Sequence, residues 1–224
     1  NSVISGSGVK GVVRSIIEAL FTKTYRDKKD KNVEGFQKYE VCVPETCLEE
    51  NKTLPPDRLA SKDCNTNPCF VCQMFGNTKQ KGRIIFHDAK AINTVTTIDR
   101  SHNAIARGSG RVGGTDKGGP IRNIEAVPSN EIFRGSIVLI NPDEWMVGAI
   151  YDTLYLIQNI GIGSKTTDGY GQIKIHIEPY FDVKPKGEDP NFINEYMETC
   201  KEIWRNGLSI EYKKPEEYES CSPQ

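Results

Sequence analysis

Apolar residues at Val9, Val12, Val13, Ile16, Ile17 and Leu20 recur every three or four positions, the spacing of one face of an α-helix. They predict an amphipathic helix that starts after Gly8 and is capped by Ser7. The run YRDKKDK at 25–31 follows as a solvated charged stretch with no strand alternation. Residues 83–89 and 131–141, rich in β-branched and aromatic side chains, read as strands. Asn141 as cap, Pro142 at the first helical position and the acids behind it open a second helix, which should end near Gly161. Residues 172–178 alternate like a half-buried strand, and a last helix should run from about Asp189, with Pro190 behind its cap, to Gly207. Strand, helix, strands, helix, strand is an α+β order, compatible with an antiparallel sheet backed by helices.

Two glycine-bearing motifs add chemistry to this outline: GSGVKGVVR at 6–14 and GIGSKTTDGYG at 161–171. Each sets backbone N–H groups beside a cation, which suits phosphate oxygens better than a small apolar ligand. Lys10 and Arg14 fall one turn apart on the same helical face, near the positive end of the helix dipole. Gly6, Gly8 and Gly11 also spell the dinucleotide fingerprint G-x-G-x-x-G. A dinucleotide fold would return to a second apolar strand carrying an acid within ~30 residues, and the charged run at 25–31 stands where it should begin.

The chain has 224 residues, enough for one elaborated domain, and a formal net charge of −1, so any nucleic-acid contact must come from local clustering. No apolar run reaches the ~20 residues of a membrane span, and the first residues lack a signal-peptide layout, so a cytoplasmic location with no membrane partner is the expectation. The seven cysteines are odd in number, which argues against a disulfide framework. Cys64, Cys69 and Cys72 lie within nine residues of one another, with Cys42 and Cys47 upstream in a proline-bearing stretch. Such a set fits a structural zinc held by Cys64, Cys69, Cys72 and a fourth ligand, Cys47 favoured over Cys42, with His87 as a substitute. Between the strands, residues 98–119 carry six glycines with Arg100, Arg107, Arg111 and Lys117, the composition of a basic hairpin or loop that orders against a partner.

With these residues laid out, the chain resembles the RAMP superfamily of CRISPR-associated proteins, specifically the backbone subunits of type III effector complexes. The resemblance rests on ISGSGVKGVVR at 4–14, CFVCQMFG at 69–76 followed by GRIIFHDA at 82–89, IDR at 98–100, FRG at 133–135 and the closing glycine-rich loop. These are collinear from residue 4 to about residue 178.

The resemblance implies a ferredoxin-like, RNA-recognition-type domain over residues 1–180. Residues 40–80 would form a zinc-binding insertion, residues 99–122 a thumb loop separating stretches of guide from target, and residues 181–224 a C-terminal helical extension. Only Val3 and Ile4 precede the first helix, so the first strand of such a sheet and the loop after it fall outside this sequence. The implied function is guide-RNA binding in an antiviral complex, beside target RNA and with other effector subunits or copies of itself as partners. Gly8, Lys10, Arg14, Arg100, Arg107, Arg111, Gly163, Lys165, Gly169 and Tyr170 are the RNA-binding candidates. Family members that cleave target RNA use an aspartate with a divalent metal such as Mg or Mn, usually in the loop after the first strand. Asp99 is the substitute this sequence offers. The alternatives are an architectural RNA-binding subunit without catalysis, or a stand-alone metal-dependent RNA-processing enzyme using His87 or His102.

Overall fold

A computed structural model describes residues 2–34, 36–42, 68–77, 79–103, 121–180 and 192–208. In chain order the elements are β1 (Val3–Ile4), α1 (Gly6–Asp30), α2 (Phe70–Phe75), β2 (Ile84–Phe86), β3 (Ala89–Ala91), β4 (Ile98–Asn103), β5 (Ile121–Ala126), β6 (Phe133–Arg134), β7 (Ile137–Leu139), α3 (Glu144–Ile160) and α4 (Phe192–Leu208). They divide into two compact units, Asn1–Ser7 with His87–Ser136, and Gly8–Phe86 with Ile137–Gln224.

The larger unit holds the core. Val13, Ile17, Phe21 and Thr24 form the buried stripe of α1, and the helix runs on through the charged segment to Asp30, with Lys28 and Lys29 favourably placed in its last turn. Phe21 stacks on Phe70 at 5.1 Å and meets the edge of Trp204 at 5.4 Å, while Trp145 packs edge-on to Phe70 at 5.1 Å, so one aromatic cluster joins all four helices. β2 and β7 pair antiparallel, Ile84 opposite Leu139 and Phe86 opposite Ile137, and turn those four side chains to the core. The helices α3 and α4 cross at Gly148, where an added Cβ would overlap the Cys200 carbonyl oxygen and stand 2.8 Å from Trp204 Cβ. Beside that crossing the buried Asp152 carboxylate accepts hydrogen bonds from Arg205 Nε at 2.8 Å and Nη2 at 2.6 Å.

The smaller unit is built of short ladders. β3 sits between β1 and β6, with Val3 opposite Lys90 and Lys90 opposite Arg134. β4 and β5 form a separate ribbon of six facing pairs from Ile98 opposite Ala126 to Asn103 opposite Ile121. Ile98, Asp99, Arg100 and Ser101 are all exposed, so β4 lacks the alternation that marks a buried face.

Several expectations change. Ser7 lies inside the first turn of α1, because the helix already begins at Gly6. The segment 83–89 is not one strand: it divides at His87 and Asp88 into β2 and β3, which enter different sheets. The segment 131–141 divides at Gly135 and Ser136, where Gly135 passes so close to Ala89 that a Cβ would stand 2.9 Å from the alanine methyl. The N-cap of α3 is Asp143, not Asn141, and it makes no side-chain cap bond; its carboxylate instead takes Arg83 at 2.8 Å. Residues 172–178 alternate in burial as expected, with Ile173, Ile175 and Ile177 against the core, yet among the described residues they join no ladder. The Ile175 N–H is donated to Gln158 Oε1 instead, at 3.1 Å. The described strands thus lie in three small antiparallel sheets, not one. The last helix starts at Phe192; Asp189 and Pro190 lie outside the described residues.

Candidate functional site

Cys69 directly precedes α2 and Cys72 lies in its first turn, so both sulfurs turn inward with the buried face of the helix. Cys42, following the turn at Phe36–Tyr39, meets them: its Sγ is 3.2 Å from that of Cys72 and 3.7 Å from that of Cys69. All three sulfurs lie within 4.8 Å of one another. Four thiolates on one zinc at ~2.3 Å stand about 3.8 Å apart, so this donor set fits a tetrahedral thiophilic ion. Hydrogen bonds with Cys42 and Cys72 hold the Cys69 thiol far below the ordinary thiol range, against the opposing effect of burial. Cys42 is the member that spacing ranked lower, since sequence distance does not tell how a loop folds back. Cys47 and Cys64 lie outside the described residues, and His87 is exposed in the smaller unit.

The glycine-rich loop after α3 is held in an unusual backbone conformation. Gly161, Gly163, Lys165, Gly169 and Gly171 all have positive φ, from 66° at Lys165 to 86° at Gly169. Its ends are tied by the Ile162 N–H donated to the Gly171 carbonyl at 2.9 Å, an approach so tight that a Cβ on Gly171 would lie on the Ile162 carbonyl oxygen. Inside it, the Lys165 carbonyl accepts the N–H groups of Asp168 at 3.0 Å and Tyr170 at 3.2 Å. Lys165 Nζ rests 3.1 Å from Asp168 Oδ2, an exposed pair that an anion can open at little cost. Among the described residues the amides of Gly163 and Ser164 have no acceptor, leaving two successive donors close in sequence to Lys165.

The first helix offers less than its sequence suggests. The Gly6 amide donates to Asp88 Oδ1 at 2.8 Å, so a carboxylate already stands at the positive end of α1. This partner lies 82 residues away and leaves no local signal. Arg14 Nε donates to Glu18 at 2.8 Å, and the guanidinium lies over the Phe75 ring at 6.0 Å. Burial lowers its pKa, but Glu18 and the sulfurs of Cys72 and Cys42 more than offset this and raise it. Arg14 is thus held chiefly by Glu18, with a smaller pull from the cysteine sulfurs. Lys10, one turn earlier, is half-buried and forms no ion pair among the described residues; Gly8 is exposed.

Arg100 and Asp99 project from β4, Arg100 opposite Ile124 and Asp99 opposite Glu125. Among the described residues the cysteine trio is the one group of three or more potential metal ligands, and Asp99 is not part of it. Arg107 and Arg111 lie outside the described residues. Also among these residues, no helix is long and apolar enough to cross a membrane.

The sequence model of the RAMP superfamily matches residues 1–174. No curated protein sequence matches the chain. Similar solved structures include a chain of the type III-B Cmr-beta complex bound to cognate target RNA, with 17% identity over 75% of this chain and a TM-score of 0.43. This chain covers 43% of that one, less than half its length. Cmr6 from Pyrococcus furiosus is 19% identical over 77% of this chain and 82% of its own, with a TM-score of 0.39.

Proposed function

The chain belongs to the RAMP superfamily, and from that premise we propose that it is a guide-RNA-binding backbone subunit of a type III CRISPR effector complex. The observation that carries the reading is the loop at 161–171, where donors fixed by positive φ stand beside Lys165. Phosphates are the ligands that such a loop favours, and contacts of this kind position RNA without reading its sequence. Gly163, Lys165, Gly169 and Tyr170 form this contact. Gly8 and Lys10 on α1 and Arg100 on β4 supply further ones, and Arg14 acts with Lys10 while paired to Glu18 and lying over Phe75. Cys42, Cys69 and Cys72 hold a structural zinc that fixes α2 against α1. A ferredoxin-like core, a cytoplasmic location, and target RNA and further effector subunits as partners complete the reading.

Removing the charges of Lys10 and Lys165 together is expected to weaken binding to all single-stranded RNAs alike. The slope of log affinity against log salt should fall by about 1.4, some 0.7 for each phosphate that is no longer neutralised. Fluorescence anisotropy across a salt series measures this, and an unchanged slope defeats the assignment.

Target cleavage is the finer form of the proposal. Asp99 and Glu125 face each other across the β4–β5 ribbon, two exposed carboxylates that would take Mg or Mn, although Glu125 Oε1 already accepts the Thr97 hydroxyl at 2.5 Å. Asp99→Asn is expected to abolish metal-dependent cleavage with RNA affinity retained. Intact cleavage in that variant removes Asp99 from the chemistry, and a parent that binds RNA without cutting it returns the protein to an architectural role.

A further inference from the structure

In the smaller unit, the three-stranded sheet lines up Val3, Lys90 and Arg134 as direct neighbours across β1, β3 and β6. Directly opposed residues of antiparallel strands point to the same face, with Cβ atoms about 4.5–5.5 Å apart. Lys90 and Arg134 are both exposed, and among the described residues neither has an ion-pair partner. Like charges set opposite each other weaken a ladder, so this pair costs the free protein stability. The acid nearest in strand parity, Asp88, is committed to the Gly6 amide.

Apolar side chains continue the same face. Ile92, just past the end of β3, and Ile132, just before β6, each two residues from a cation, are 53% and 61% exposed, and Val3 is 49% exposed. The Ile92 N–H donated to the Ile132 carbonyl at 2.9 Å carries the ladder on to that position. Two adjacent cations bordered by three uncovered aliphatic side chains form a strip that attracts a polyanion and offers it dry surface beside the charges.

We propose that Lys90 and Arg134 act as one cross-strand clamp on the phosphodiester backbone of RNA, a second contact beyond the glycine-rich loop. The assignment to RNA rests on the function proposed above; the two-cation row itself does not. In free protein the two charges repel, and a phosphate between them relieves the repulsion, so ligand binding and sheet stability are coupled at this point.

The test is Lys90→Glu, which pairs the new carboxylate with Arg134 and cancels both cations. It should raise the melting temperature. It should also weaken binding of a labelled oligouridylate by roughly 25-fold at 0.1 M salt and lower the salt slope by about 1.4. Arg134→Gln removes one charge and should cost about fivefold. A residue with a merely structural role would not move stability and affinity in opposite directions. If Lys90→Glu binds RNA like the parent while the Lys10 and Lys165 double variant does not, the clamp is overturned and the guide-binding reading stands. A parent protein that binds no RNA overturns both. Normal RNA binding by Lys90→Glu with loss of self-association in sedimentation assigns the strip to a second copy of the chain, and also overturns the clamp.

Discussion

Cys72→Ser is expected to strip the protein of metal and to unfold most of the larger unit. The parent, purified without chelator, should carry about one zinc per chain and the variant close to none. The size of the effect separates the two ways of reading three close sulfurs. Structural zinc sites contribute apparent free energies of ~10–16 kcal/mol, as much as the ~5–15 kcal/mol that keeps a whole domain folded. If the sulfurs were bare thiols, placing a hydroxyl in the pocket would cost only the ~1–3 kcal/mol of a poorly satisfied buried polar group. Cys72 and Cys69 lie in the same buried cluster as Val13 and Ile17 of α1, so losing the ion should loosen α2 and α1 together. A parent without zinc, or a variant that melts within a few degrees of it, rules the metal out.

Gly148→Ala is expected to lower stability by about 3 kcal/mol, shifting the melting temperature down by some 6–12 °C. The sign is the informative part. In a helix interior, glycine to alanine should by propensity alone stabilise by ~1 kcal/mol. Here the added carbon would overlap the Cys200 carbonyl oxygen of α4, which can recede only if the whole helix shifts. Such a shift would lift Trp204 from its contact with Phe21 and stretch the Asp152 to Arg205 pair. A Gly148→Ala protein as stable as its parent would mean that the two helices do not approach this closely.

The helices were legible because their apolar spacing was long and their ends carried punctuation. The stripe from Val9 to Leu20 and the stop at Gly161 both hold. The strands were less so. Alternation at 172–178 correctly marked Ile173, Ile175 and Ile177 as inward, but a period of two records only which side is covered, not whether a neighbouring edge is there to pair. The division of 131–141 at Gly135 answers to a close approach by Ala89, a contact with no trace in local pattern. The site divides in the same manner. The glycines and lysine at 161–171 marked a phosphate-suited loop from local composition, and the positive φ values there are local as well. The partnership of Cys42 with Cys69 and Cys72, and of Asp88 with the Gly6 amide, depends on how distant segments return to one another.

The five positive-φ residues after α3 also bear on time. Their conformational entropy is surrendered when the protein folds, so a ligand arriving at the loop has little backbone left to order. Encounter should then run at a rate governed by diffusion and charge, and substitutions that leave the backbone intact should register mainly in how long the complex lasts. Replacing Gly163, whose Cβ would meet open space, should do the reverse. It would leave the contacts in place yet slow their formation, because each encounter would have to wait for a turn that the chain no longer holds ready.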